Sequence, residues 1–191
     1  MNSRLVSILA GAGLALAVGG SALAAGDRLP GDIGKPGDQG VMPTTTGPRP
    51  PARVLPPAPS VAVALKAAQA IAAGCKQYPL GIAVVNSVGG PILTYIPDGS
   101  QPLHSYMAIR KAYSALTFKA NSSTMVAKAQ QDPAVAAQVK ADPNLVGYSG
   151  GILLKSGDKI IGAIGVSGAE PGGHDEECGM IGLAAIQGDL Q

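Results

Sequence analysis

Nine of the chain's 16 prolines fall between residues 25 and 59. That stretch also holds several glycines, the Thr44-Thr45-Thr46 run and no aromatic residue. Proline fixes its own φ and lacks the amide that helix interiors and central strands require. A segment so poor in large apolar side chains buries too little surface to offset the entropy of ordering it. Residues 25–59 therefore read as a disordered or extended tether, with docking to a proline-reading partner as the alternative use of such a composition. A compact fold has to be built from residues 60–191, an ordinary length for one domain.

Ahead of the tether, Arg4 supplies a positive charge, residues 5–18 form an uncharged apolar run, and Ala22-Leu23-Ala24 gives a small-x-small cleavage pattern. Residues 1–24 read as a signal peptide rather than an anchor, because the run is short for a bilayer and is broken at Gly19-Gly20. No twin-Arg pair precedes it, so general secretion is expected. The mature protein is expected to be soluble, without a membrane span, and periplasmic or secreted. Formal charge is near balance at +2, and five Tyr, one Phe and no Trp leave no stacking platform. Nucleic acid is not an expected partner.

The remaining sequence alternates helical and strand patterns. Ser60 is placed to cap a helix ending at Gly74. Residues 81–85 and 92–96 read as strands joined through Val88-Gly89-Gly90, and residues 105–120 as a long helix with Tyr106, Ile109, Tyr113 and Leu116 on one face. Ser122 or Ser123 is placed to cap a helix through Lys128, and Asp132-Pro133 opens another that ends before Asp142-Pro143. Residues 151–155 and 159–167 form a second hairpin. Asp175-Glu176-Glu177 start a last helix, their charge favourable at the positive end of its dipole. Hairpins separated by helices imply an α+β fold with an antiparallel sheet.

Few motifs carry chemistry on their own. Gly165-Val166-Ser167-Gly168-Ala169 approaches a nucleophile elbow, but an elbow needs its helix to begin immediately after the serine, and Glu170-Pro171-Gly172-Gly173 intervenes. Ala73-Gly74-Cys75 resembles a lipidation box but stands far beyond the signal peptide. Cys75 and Cys178 are too few for a zinc cluster and are either a disulfide or two buried small residues. His104 stands at the start of the long helix, with Met107 one turn on and Arg110-Lys111 beyond. Such a group offers one axial ligand and two cations for the acid groups of a flat ligand, or else an ordinary helix start with solvated cations.

Several strings taken together resemble the GlcG/HbpS haem-binding family, which includes the C-terminal domain of PduO-type proteins. They are residues 84–90 (Val-Val-Asn-Ser-Val-Gly-Gly), Asp98-Gly99, Arg110-Lys111-Ala112, Gly150-Gly151, residues 161–169 and Asp175-Glu176. The likeness spans nearly all of residues 60–186; Asn86 departs from it, since the family usually has Asp there. It implies a profilin-like antiparallel five-stranded sheet flanked by helices on both faces, assembly into homo-oligomers, and haem or a related tetrapyrrole as ligand. Lys111, Gly151, Gly165, Ser167 and Asp175 carry over as motif matches. The family's strand order also places Cys75 near Cys178, which implies a disulfide between them.

The expected ligand site combines those matches with the local reading: His104 as iron ligand, with Met107, Arg110, Lys111, Tyr148, Gly151, Ser167 and Asp175 around the cofactor. Tyr106 or Tyr148 is the alternative ligand, and His174 is disfavoured by its three acidic neighbours. The expected function is an exported haem-binding protein acting in haem sensing, storage or handling. An enzyme acting on haem or another small cofactor, and an envelope signalling or structural module, are the alternatives. No recognisable acid, base and nucleophile set favours the enzyme.

Overall fold

The computed structural model describes residues 55–170 and 173–190; the expected signal peptide and residues 25–54 of the expected tether lie outside the described residues. The chain runs α1 (Val61–Gly74), β1 (Gly81–Asn86), β2 (Pro91–Tyr95), α2 (Pro102–Phe118), α3 (Ser122–Gln131), α4 (Pro133–Ala141), β3 (Gly151–Ser156), β4 (Lys159–Ser167) and α5 (His174–Ile186). A 3₁₀ turn at Gln187–Asp189 follows.

Local chemistry accounts for most of these boundaries. The Ser60 hydroxyl accepts from the Val63 amide at 3.2 Å and starts α1. Asp132 accepts from Ala134 at 2.9 Å, with Pro133 in the first turn of α4. α2 begins three residues earlier than expected because Pro102 fits a first turn, where a missing amide leaves nothing unpaired. α3 is not capped by either serine: Asn121 holds the cap position, and the serine hydroxyls are used elsewhere. In the β1–β2 turn, Asn86 Oδ1 accepts from Val88 at 3.0 Å and from Gly90 at 2.9 Å. An amide oxygen thus closes the turn.

All strand pairs are antiparallel and the sheet order is β2-β1-β4-β3. The expected five-stranded sheet has four strands among the described residues. At the β3 edge, side chains stand where another strand would pair. Ser122 Oγ accepts from the Gly151 amide at 2.8 Å, and Asn121 Oδ1 accepts from Leu153 at 3.1 Å. This satisfies two edge amides without a ladder.

The two faces of the sheet differ in side-chain volume. Ile82, Val84, Ile152, Leu154, Ile164 and Val166 point to one side and pack with Ala64, Ala67, Ala68 and Ile71 of α1 and Cys178 and Ile186 of α5. Burying each such Ile or Leu contributes about 1.5–3 kcal/mol. The other side presents Ala83, Val85, Leu153 and Ala163 to Ala108, Ala112 and Ala115 of α2. Helices thus cover both faces.

On that second face glycines admit the helix backbone itself. A Cβ at Gly165 would lie 2.7 Å from the Ala108 carbonyl carbon and 3.0 Å from the Ala112 amide nitrogen. One at Gly151 would lie 2.7 Å from the Lys111 carbonyl carbon, and one at Gly81 would strike the backbone joining His104 to Ser105. Successive turns of α2 therefore rest on β1, β4 and β3 in order. On the opposite face, Cys75 at the end of α1 is bonded to Cys178 in α5, with Cα atoms 6.0 Å apart. The docked chain starts ahead of α1: Pro57 accepts from the Ser87 amide at 2.9 Å, and Pro59 is buried.

Candidate functional site

His104 lies in the first turn of α2, half-buried, with its backbone seated over Gly81. Its Nδ1 meets the carbonyl oxygen of Pro79. A carbonyl only accepts, so Nδ1 carries a proton, and in the neutral form of the ring the lone pair is on Nε2. Among the described residues Nε2 has no hydrogen-bond partner. The other wall of this clamp is Gly168, at φ 114°, where a Cβ would lie 2.5 Å from the Pro79 oxygen and 2.6 Å from His104 Nδ1. Only glycine leaves room for this ring at this backbone angle. Around the helix start, Leu103 is 62% exposed and Tyr106 37%.

The cations expected nearby are engaged by the protein. Arg110 Nη2 donates to the carbonyls of Pro143 at 2.5 Å and Leu145 at 3.0 Å, tying the α4–β3 connection to α2. Its guanidinium lies over the Tyr106 ring, 5.6 Å from the centroid, and Nη1 stands 3.7 Å from the Met107 sulfur. Arg110, Tyr106 and Met107 form one stacked group on α2. Lys111 is 4% exposed, and its Nζ is 2.6 Å from Asp175 Oδ2. The other oxygen of Asp175 accepts from the Ala169 amide at 2.9 Å. Both carboxylate oxygens are thereby paired, as a buried charge requires.

The motif residues fall into two groups. Lys111, Gly151 and Asp175 are brought together where α2, β3 and α5 meet, and the neighbouring Gly150 packs against the stems of Lys111 and Asp175. Ser167 is buried at the end of β4, paired in register with Gly81. Since α5 starts only at His174, no helix rises directly from Ser167. Tyr148 stands out from the α4–β3 connection, 63% exposed. His174 stacks on Tyr78 with centroids 5.9 Å apart, and its Nδ1 is 2.8 Å from Glu177 Oε2.

Three parts of this arrangement were not anticipated. The Pro79 carbonyl is backbone and has no signature in composition. Gly168 stood inside the motif string, but nothing in the string says which side chain it faces. Glu176 accepts from both the amide and the hydroxyl of Ser123, at 3.2 and 2.8 Å, joining the starts of α3 and α5. The run of acids before an apolar stretch is its signal in the sequence.

Known proteins share this architecture. Residues 60–184 match the family described as haem-degrading and HbpS-like. The crystal structure of HbpS superposes with a TM-score of 0.63 at 26% identity, over 73% of this chain and 98% of that one. A double mutant of Streptomyces reticuli HbpS gives 0.64 at the same identity and coverage. The crystal structure of a PduOC:heme complex is 22% identical, with a TM-score of 0.59 over 68% of this chain and 95% of that one, a likeness of fold. No protein of curated function matches the sequence. With nearly the whole described domain matched in sequence and fold, the chain belongs to the HbpS-like family.

Proposed function

We propose that the domain binds haem, with Nε2 of His104 directed at the iron. The observation that carries this is the clamp on the opposite nitrogen: the Pro79 carbonyl holds the Nδ1 proton, which leaves the lone pair on Nε2. A second hydrogen bond of this kind orients a ligating imidazole and raises its basicity. Haem, if bound here, would supply an iron that a nitrogen of this kind could ligate. Leu103 and Tyr106 expose apolar surface in the first turns of α2, and Met107 lies one turn beyond His104. Lys111 is committed to Asp175, so of the two expected cations Arg110, whose Nη1 has the Met107 sulfur as a weak partner, is the one to meet a propionate. Tyr106 and Tyr148 remain the alternative ligands.

The cellular reading is haem handling after export, by storage or sensing, in a homo-oligomer. The N-terminal cleavage pattern supports export, and a disulfide agrees with an oxidising compartment. Catalytic haem breakdown is the second reading, favoured by the family's description. The test is titration of the purified protein with ferric haem, followed by absorption. The wild type is expected to develop a Soret band that His104→Ala shifts and weakens. Absence of binding by the wild type would remove the function, and an unchanged band in the variant would remove His104 from the site. Adding reductant and oxygen separates the two readings, because breakdown bleaches the band and storage preserves it.

A further inference from the structure

The clamp on His104 has one wall that does not support itself. Gly168 lies on the exit from β4, and residues 168–173 join that strand to α5 without regular structure where described. This exit is held by the Ala169 side chain, buried in the α1–α5 core, and by the Ala169 amide on Asp175 Oδ1, at 2.9 Å. Asp175 is in turn fixed by Lys111 at 2.6 Å, from a helix position seven residues beyond His104. The chain of contacts thus leaves α2 at Lys111, passes through Asp175 and Ala169, and returns to α2 at the His104 ring. Helix α2 itself cannot slide, because its backbone rests on Gly81, Gly165 and Gly151.

We propose that Lys111 and Asp175 are positioning residues for His104: their buried ion pair sets the β4 exit at the one place where Gly168 admits the ring and Nδ1 reaches the Pro79 carbonyl. Resting on the reading of His104 as ligand, this gives the pair a role at a site neither residue touches. It also explains why a buried charge pair is kept where neutral side chains of similar size often serve folding equally well. If the exit moves, Gly168 either presses on the ring or releases it, and the hydrogen bond that selects the Nδ1–H tautomer is lost.

The test uses the full chain without haem. Nitrogen-15 spectra of the histidine side chains at about pH 8.5, where an imidazole is ordinarily neutral, report which ring nitrogen carries the proton. Only His104 and His174 contribute, and His104→Gln assigns them. Wild-type His104 is expected in the single Nδ1–H form. In Lys111→Met/Asp175→Asn, which removes both charges and keeps an oxygen for Ala169, His104 is expected to lose that single-tautomer pattern while His174 keeps its own. A folded double variant with the His104 pattern unchanged would overturn the proposal, whatever its melting temperature. Should that variant not fold, Asp175→Glu retains the charge but moves the group holding Ala169 by one methylene. It must likewise disturb His104, and an unchanged pattern there overturns the proposal too. The haem titration of His104→Ala stays independent: an unchanged Soret band there discards the ligand reading and leaves the tautomer result to judge the brace alone.

Discussion

Adding one methyl group at Gly165 tests the idea that α2 is laid backbone-first on the sheet. The new Cβ of Gly165→Ala would sit 2.7 Å from the Ala108 carbonyl carbon and 3.0 Å from the Ala112 nitrogen, with the Ala108 oxygen nearer than either. Non-bonded carbons prefer about 3.5–4.0 Å, so the helix has to lift by roughly 1 Å. No side chain can rotate to relieve this, because the obstructing atoms are backbone, and the same helix is pinned at Gly151 and Gly81. Overpacking a tight interior costs about 1–3 kcal/mol. A backbone clash at the centre of the contact belongs at the top of that range, and the gain in strand propensity of Ala over Gly returns only about 0.5–1 kcal/mol. A net loss of about 2 kcal/mol corresponds to a fall of roughly 8 °C in Tm for a domain of this size. Thermal and urea unfolding followed by circular dichroism measure it, with Gly188→Ala as control, since a Cβ there meets nothing within 4 Å. The control should change stability by less than about 0.5 kcal/mol. If Gly165→Ala proved as harmless as the control, the close approach of helix and sheet would be refuted.

Two other perturbations probe what joins the layers. Replacing Cys75 and Cys178 together by Ser should lower unfolding free energy by about 4–5 kcal/mol, the chain-entropy value for a loop of this length; thiol titration of the denatured, unreduced wild type should find no free sulfhydryl, and finding two would contradict the bridge. Ser122→Ala leaves the Gly151 amide without its acceptor. This should cost about 1–3 kcal/mol and speed hydrogen exchange at Gly151, so slow exchange there in the variant would show that Ser122 is not the edge's partner.

How much was readable in advance depended on whether a feature was local. Four runs of β-branched and small residues bounded by Gly, Pro and Asn marked all four strands, and Ser60 and Asp132 marked helix starts through their own hydroxyl and carboxylate chemistry. The fifth strand came from resemblance alone, and the β3 edge is met instead by Asn121 and Ser122, whose partners lie about thirty residues away. The cysteine count leaves a disulfide and two buried thiols both open, and the pairing came from the strand order that the resemblance implies. Gly151 and Gly165 were recognised as motif letters, but their reason is the backbone of a helix some forty to sixty residues earlier in the chain. The pairing of Lys111 with Asp175, 64 residues apart, left no trace in periodicity. Read from spacing, Lys111 was a cation free to meet a ligand; the fold turns it inward onto α5.

The bond between Cys75 and Cys178 joins positions 103 residues apart, and all four strands lie between them. The sheet is therefore enclosed in a covalent ring, with α1 before its first link and the last eight residues of α5 after its last. A single peptide cut inside the ring leaves one molecule, since both pieces stay bonded through sulfur. The ring also imposes an order on maturation. It cannot close until residue 178 has been synthesised, by which point both hairpins and α2 are already part of the chain.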